Sequence, residues 1–156
     1  MSDITTKITW MGGMNFSARN SDGLETLMDG DRKAAASPVE LLLESFGACP
    51  STFIVKMLKK MREPFSRLEI SLEANRHSPE PRYLTAVQAR FDVWGDGLNP
   101  DKVMRAIGLS FAKYCSVYHS LRPDLELQVE YRIHDSTGET TVDYKPVDLT
   151  AMEVAF

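Results

Sequence analysis

Apolar and polar residues alternate from the start of the chain. Ile4, Ile8 and Trp10 lie two or four positions apart in a stretch rich in β-branched residues and predict a first strand over Ile4 to Trp10. After a break at Gly12-Gly13, Met14, Phe16 and Ala18 alternate with Asn15, Ser17 and Arg19. That predicts a second, half-buried strand with Arg19 pointing away from the apolar face. The turn signal Asn20-Ser21-Asp22-Gly23 precedes a third strand over Leu24 to Met28, ended by Asp29-Gly30-Asp31.

The pattern then changes period. Ser37-Pro38-Val39-Glu40 places Ser at the N-cap, Pro at the first helical position and Glu at the third, a capping box that opens a helix to about Arg62, stopped by Pro64. Its apolar residues, from Leu41-Leu42-Leu43 through Phe46, Phe53, Ile54 and Leu58, cover more than one stripe, so the helix is expected at the centre of the domain or at an interface. Pro50 removes the donor to the Phe46 carbonyl, and a kink is expected near residues 46 to 50. Leu68, Ile70 and Leu72 then alternate toward Arg76, and Leu84 to Trp94 supplies a strand with Val87, Ala89, Phe91 and Val93 inward. Asn99-Pro100 opens a second long helix, with Val103, Ile107, Phe111, Tyr114 and Cys115 at helical spacing and a reach to Leu121 before Pro123. Leu125, Leu127, Val129 and Tyr131 form a final strand. From His134 the pattern weakens, and the tail to Phe156 reads as an added hairpin or a loosely docked extension. The expectation is an α+β domain over residues 1–133, two long helices on an antiparallel sheet, with 134–156 as an extension rather than a separate domain.

Composition narrows the function. A chain of 156 residues is most simply one domain and can bury about 68–70% of its unfolded surface, so it needs no metal or disulfide to fold. Eighteen Lys plus Arg against 22 Asp plus Glu leave a net charge of −4 with the basic residues dispersed, so nucleic acid is not an expected partner. No apolar run approaches the ~18 residues of a membrane span, and the N-terminus, with Asp3 and Lys7, has no secretory h-region. Two cysteines in such a chain point to a reducing compartment, and the cytoplasm is expected.

Those cysteines are the first candidates for chemistry. Cys49 and Cys115 each fall on the apolar side of a predicted helix, 66 positions apart, which excludes a CxxC motif. Two readings stand: a pair of buried core cysteines, or two thiols that meet as a redox pair. Cys49 lies about three turns into its helix, beyond the reach of the macrodipole, so a reactive thiolate there needs a nearby cation. Arg19 is one on offer, against its reading as a solvated strand arginine. Glu40 is explained by the capping box, and it could in addition orient an arginine near the thiolate. Cys115 and His119, four apart, could share a face; two ligands without a second pair make a weak metal signal, and neither metal nor cofactor is expected. Trp10, Phe16, Phe46, Phe53, Phe91 and Phe111 are core by default, and some could line an apolar pocket beside a thiol.

Two segments resemble a known family. Ser37-Pro38-Val39-Glu40-Leu41-Leu42-Leu43 followed by Gly47-Ala48-Cys49 resembles the first helix of the OsmC/Ohr proteins. Lys113-Tyr114-Cys115-Ser116-Val117 resembles the second cysteine segment of the YhfA-like branch, as do Trp10…Gly13-Met14-Asn15-Phe16 and Leu27-Met28-Asp29-Gly30. The likeness covers roughly Ile4 to Ile133. It implies an OsmC-like α+β fold in an intertwined homodimer, with Cys49 as peroxidatic thiol and Cys115 as resolving thiol. An arginine and a glutamate, here Arg19 and Glu40, would hold the first thiolate reactive. It further implies organic hydroperoxides as substrates and a dithiol reductant, of the lipoyl type in related proteins. Two departures carry an alternative reading. The Ohr glutamate directly follows the proline, where Val39 stands here and Glu40 comes one later. The Ohr Gly-Gly-Arg is Gly12-Gly13-Met14. The alternative is a non-catalytic dimer that binds a small apolar ligand in its interface cavity.

Overall fold

The computed structural model describes residues 2–153. In chain order its elements are β1 (Thr6–Trp10), β2 (Asn15–Asn20), β3 (Glu25–Asp29), α1 (Pro38–Lys60), β4 (Arg67–Arg76), β5 (Leu84–Trp94), α2 (Pro100–Leu109), a π-helical turn (Ser110–Tyr114), α3 (Ser116–His119), β6 (Glu126–His134), β7 (Thr140–Pro146) and α4 (Thr150–Glu153). The chain divides into two compact units, one up to Glu44 and one from Ser45 onward.

The first unit is the antiparallel sheet β1-β2-β3 and the link after it. Gly12 and Gly13 turn β1 into β2 at φ +98° and +57°, a region that favours residues without a Cβ, and the Trp10 Nε1–H donates to the Gly13 carbonyl at 2.9 Å. Asn20 Oδ1 accepts the N–H groups of Asp22 and Leu24 to turn β2 into β3. Asp29 then gathers the link: its carboxylate accepts the N–H groups of Asp31, Lys33 and Ala34 at 2.8–2.9 Å. Those bonds, from Ala34 and Asp31 above all, hold its carboxyl below the usual range. Alternation predicts half-buried strands here, yet β1 is exposed along its whole length, and Ile8, Trp10, Leu24 and Leu27 are exposed in the single chain. A period of two identifies a face that gains from being covered; it does not say that the same chain covers it. Trp10, at 66% exposure, is therefore not the core aromatic the composition suggests.

α1 opens as its sequence dictates. Ser37 Oγ accepts the Glu40 N–H while Glu40 Oε2 accepts the Ser37 N–H at 2.8 Å, a reciprocal capping box. The helix runs through Pro50 without interruption. Among the described residues it is the one helix long and apolar enough to cross a bilayer, and its Phe46, Gly47, Pro50, Ile54 and Leu58 are buried in the core of the second unit. It passes that test without a long apolar run because Gly, Ala, Ser and Thr fill the places between its large side chains.

The second unit carries the sheet β4-β5-β6-β7. The expected all-antiparallel sheet needs correction: β4–β5 and β6–β7 are antiparallel, but β5 and β6 run parallel. The cause is the connection, since a helical crossover returns the chain in the same direction where a hairpin would reverse it. Val87, Ala89, Phe91 and Val93 of β5 and Val129, Tyr131 and Ile133 of β6 are buried, as are Val103, Ala106 and Ile107 of α2. Gly95 has its N–H on the His134 carbonyl, and a Cβ there would collide with the Pro64 carbonyl oxygen, so no side chain fits at that crossing.

The second long helix is also corrected. Asn99 caps α2 as expected, its side chain accepting the Asp101 and Lys102 N–H groups, but α2 ends at Leu109. The π turn follows, Cys115 leaves helical geometry at ψ 96°, and only α3 continues. Apolar spacing could not reveal this, because Phe111, Tyr114 and Cys115 keep a helical period across a turn that holds one extra residue. The tail adds β7 to the edge of β6 and places Met152 of α4 over Gly108, where a Cβ would lie 2.9 Å from its Cγ; residues 154–156 of the expected extension lie outside the described residues.

One acid ties β5, β6 and β7 together. Asp92 Oδ1 accepts from Arg132 Nε and His134 Nε2, each at 2.6 Å, and Oδ2 accepts from the Tyr144 hydroxyl at 2.9 Å. Burial raises its pKa, and the bonds from Arg132, His134 and Tyr144 more than reverse that, leaving the carboxyl below its usual range. A depressed carboxyl stabilises the fold above its unfolded pKa of ~3.9, and that stabilisation is lost as pH falls through the lowered folded value. Asp92→Asn should cost about 2–3 kcal/mol in urea unfolding at pH 7 and flatten the acid limb of the stability curve. An unchanged urea midpoint would contradict this account of the network.

Candidate active site

The site is built where α1 meets the broken helix. Phe46 and Phe53 stand three residues before and four residues after Cys49, on the same side of α1. The Phe46 ring lies 5.6 Å from Phe111 and 6.1 Å from Tyr118, and Phe53 stacks on Tyr114 at 5.2 Å. Phe111 also meets Phe91 and Tyr118 edge-on at 5.9 Å. Each such pair adds about 0.5–1.5 kcal/mol beyond its area, so α1 is pinned to residues 111–118 on both sides of Cys49.

Between these rings the two sulfurs meet. Cys115 is fully buried and Cys49 is half-buried; both are reduced, and they lie close enough for the Cys49 sulfur to act on the Cys115 thiol. Cys115 Sγ in turn accepts the Tyr118 N–H at 3.3 Å as the N-cap of α3. Burial pushes the Cys115 thiol up to about 11; the Tyr118 N–H pulls it down, and the neighbouring Cys49 sulfur adds to the rise. Cys115 therefore keeps its proton at neutral pH. The Tyr118 N–H thus holds the Cys115 sulfur from one side, and the half-buried Cys49 neighbours it on the other. Such an arrangement can support thiol oxidation at Cys49 followed by disulfide closure.

The other expected groups have partners of their own. Arg19, on β2, is exposed and its guanidinium lies 3.4 Å from Glu25 Oε1. Glu40 is held by Ser37, through N–H and hydroxyl bonds to Oε2, and by Arg32, whose Nε lies 2.9 Å from Oε1. The bonds from Ser37, and then the Arg32 charge, lower its pKa. Arg19 and Glu40 are thus not paired with each other. Sequence reasoning misses Arg32, which sits at φ +59° in the loop that Asp29 organises. The signal is present in Asp29-Gly30-Asp31, which by itself reads as the end of a strand. Tyr118 is missed because apolar spacing makes the broken helix look continuous. His119 turns to the main chain, its Nε2 3.1 Å from the carbonyls of both Phe111 and Ala112, and among the described residues no three His, Cys, Asp or Glu side chains are grouped to hold a metal.

A family model described as OsmC-like protein matches residues 29–130, a span that contains both cysteine segments. This chain belongs to the OsmC family. Protein YhfA of Escherichia coli K12 is 32% identical to the OsmC-like chain over 128 residues, covering 81% of this chain and 96% of YhfA. The crystal structure of a hypothetical protein from Aquifex aeolicus superposes with a TM-score of 0.78 at 24% identity, over 87% of this chain and 99% of that one. OhrB of Bacillus subtilis, an organic hydroperoxide resistance protein, matches with a TM-score of 0.59 at 16% identity, over 81% and 97%. At those identities the two solved structures show that this chain has the OsmC fold.

The thiols of this OsmC-family chain should label unequally. A short pulse of iodoacetamide at pH 8, read by peptide mass spectrometry, should modify Cys49 and spare Cys115. Labelling of Cys115 should rise only toward pH 11 or on unfolding. Equal labelling at pH 8 would contradict a buried Cys115 that keeps its proton.

Proposed function

We propose that the protein is a cysteine-based peroxidase that reduces organic hydroperoxides, with Cys49 as the attacking sulfur and Cys115 as the resolving one. The observation that carries this reading is the packing of Phe46 and Phe53 against Phe111 and Tyr114, which brings a buried, proton-retaining Cys115 beside a half-buried Cys49. The Cys49 thiolate attacks the distal oxygen of ROOH; an S–O bond forms, the O–O bond breaks, and the alkoxide takes a proton and leaves as ROH. Sulfur loses two electrons and the peroxide gains them. The Cys49 sulfenic acid then condenses with the Cys115 thiol, giving the disulfide and water. A dithiol reductant, of the lipoyl type, restores both thiols by exchange, which suits a cytoplasmic setting. Phe46, Phe53, Phe111, Tyr114 and Tyr118 favour alkyl or aryl hydroperoxides over H₂O₂, which has little apolar surface to bury.

Arg19 is the proposed cation for the thiolate, its 3.4 Å tie to an exposed Glu25 being weak. Glu40 is proposed to act through Arg32, the guanidinium it holds at 2.9 Å. The working form is proposed to be an intertwined homodimer, a reading supported by the exposed Ile8, Trp10, Leu24 and Leu27, which a second copy would cover.

Reduced protein mixed with cumene hydroperoxide should lose both thiols and release cumyl alcohol. Cys49→Ser should abolish the reaction, and Cys115→Ser should stop at a trappable sulfenic acid. Arg19→Met should slow thiol loss about tenfold, as removal of a cation that favours the attacking sulfur would. Inert thiols together with a co-purifying apolar ligand would select the alternative, a non-catalytic ligand-binding dimer. Sedimentation should give twice the 17.5 kDa of one chain, and Ile8→Asp with Trp10→Lys should shift it toward monomer. A monomeric parent protein would exclude the dimer.

A further inference from the structure

We propose that His119 is a positioning residue for Cys115, and that it governs the disulfide-forming step without taking part in the peroxide step. The helix breaks where Cys115 is presented. The π turn Ser110–Tyr114 ends, Cys115 adopts φ −76° and ψ 96°, and α3 restarts at Ser116. A helical segment that ends this way leaves its last carbonyls without in-helix donors. His119 replaces them. Its Nε2 stands 3.1 Å from the carbonyl oxygens of Phe111 and of Ala112, and since carbonyls only accept, Nε2 carries the proton and donates to both. The His119 N–H meanwhile donates to the Cys115 carbonyl at 3.1 Å. One residue on the far side of the break thus grips the chain both before Cys115 and at it, closing residues 111–119 into a loop with the sulfur held inside.

The consequence lies in the geometry of closure. Disulfide formation brings two neighbouring sulfurs to about 2.05 Å, so the resolving sulfur must stay close and correctly aimed while it moves. Holding a reactant in place replaces an encounter by an intramolecular step, with effective concentrations far above those of free thiols. Without the imidazole, the Phe111 and Ala112 carbonyls lose their donor, the segment frays, and Cys115 spends less time against Cys49. Cys49 itself sits on α1, whereas the imidazole bonds of His119 go to the π turn, so attack on peroxide keeps its rate.

The chemistry of this inference rests on the peroxidase reading; the positioning role does not. The test compares His119→Ala, His119→Gln, which keeps an N–H donor, and His119→Phe, which keeps the ring and loses the donor. One equivalent of cumene hydroperoxide is added to reduced protein, and Cys49 sulfenic acid (trapped with dimedone) and the disulfide are followed by mass spectrometry. Expected are an unchanged rate of sulfenic acid formation, a disulfide step slowed tenfold or more in His119→Ala and His119→Phe, and His119→Gln within about threefold of the parent. A parallel arm uses diamide, which accepts one thiolate at its N=N bond and is displaced as the hydrazine by the second thiol, forming the disulfide without peroxide. If the parent ignores peroxide, the peroxidase reading falls and the diamide arm still decides the role of His119. Disulfide closure in His119→Phe as fast as in the parent, in whichever arm reacts, overturns the proposal. So does a His119→Gln variant as slow as His119→Phe, or equal slowing of both steps. Should His119→Ala fail to fold, the comparison of the Phe and Gln variants decides by itself.

Discussion

Two sulfurs 66 residues apart become neighbours because aromatic rings hold their backbones together, and the proposed chemistry depends on that packing. A thiol contact is far too weak to dock two helical segments. Phe46 against Phe111 and Tyr118, and Phe53 against Tyr114, supply the attraction on either side of Cys49. The sulfurs occupy the seam that results. The same rings that create the contact also exclude water from Cys115, and that exclusion is what keeps its proton in place. Architecture and the protonation of Cys115 therefore share one cause.

Much of the fold is legible in the sequence, and the limits of legibility are physical. The Ser37–Glu40 capping box and the Asn99-Pro100 start are local signals, and each opens a helix where it predicts one. β5 follows from alternation and its flanking turns. The direction of β6 is not legible, since a strand's residue pattern is the same whichever way its neighbour runs. Nor is the break at Cys115, where the π turn gives way to extended backbone and a histidine four residues later meets the carbonyls of Phe111 and Ala112.

The cysteines can be singled out from spacing and helical phase, but their meeting cannot, because contact across 66 residues is a property of packing. Arg32 stays hidden for a different reason. Its place beside Glu40 is set by a loop that Asp29 ties with three main-chain bonds and by a left-handed backbone at Arg32 itself, neither of which has a periodic signature. Glu40 is found through its cap, and the partner it selects becomes visible only with coordinates. Exposed Ile8 and Trp10 mark the opposite case: their pattern is plain, but it does not say what, if anything, covers them.

The strand added by the tail changes what the sheet offers to other molecules. β6, apolar on one face, would otherwise present a row of free main-chain donors and acceptors, a template for unwanted strand pairing. β7 takes up that row through irregular registers near Tyr131 and His134 and is fastened by the Tyr144 hydroxyl on Asp92. The new margin ends in Asp143, Lys145 and Pro146, two charges and a residue without an N–H. The last segment of the sheet thus acts as a selvedge, finishing the fabric so that it does not stitch itself to a neighbour.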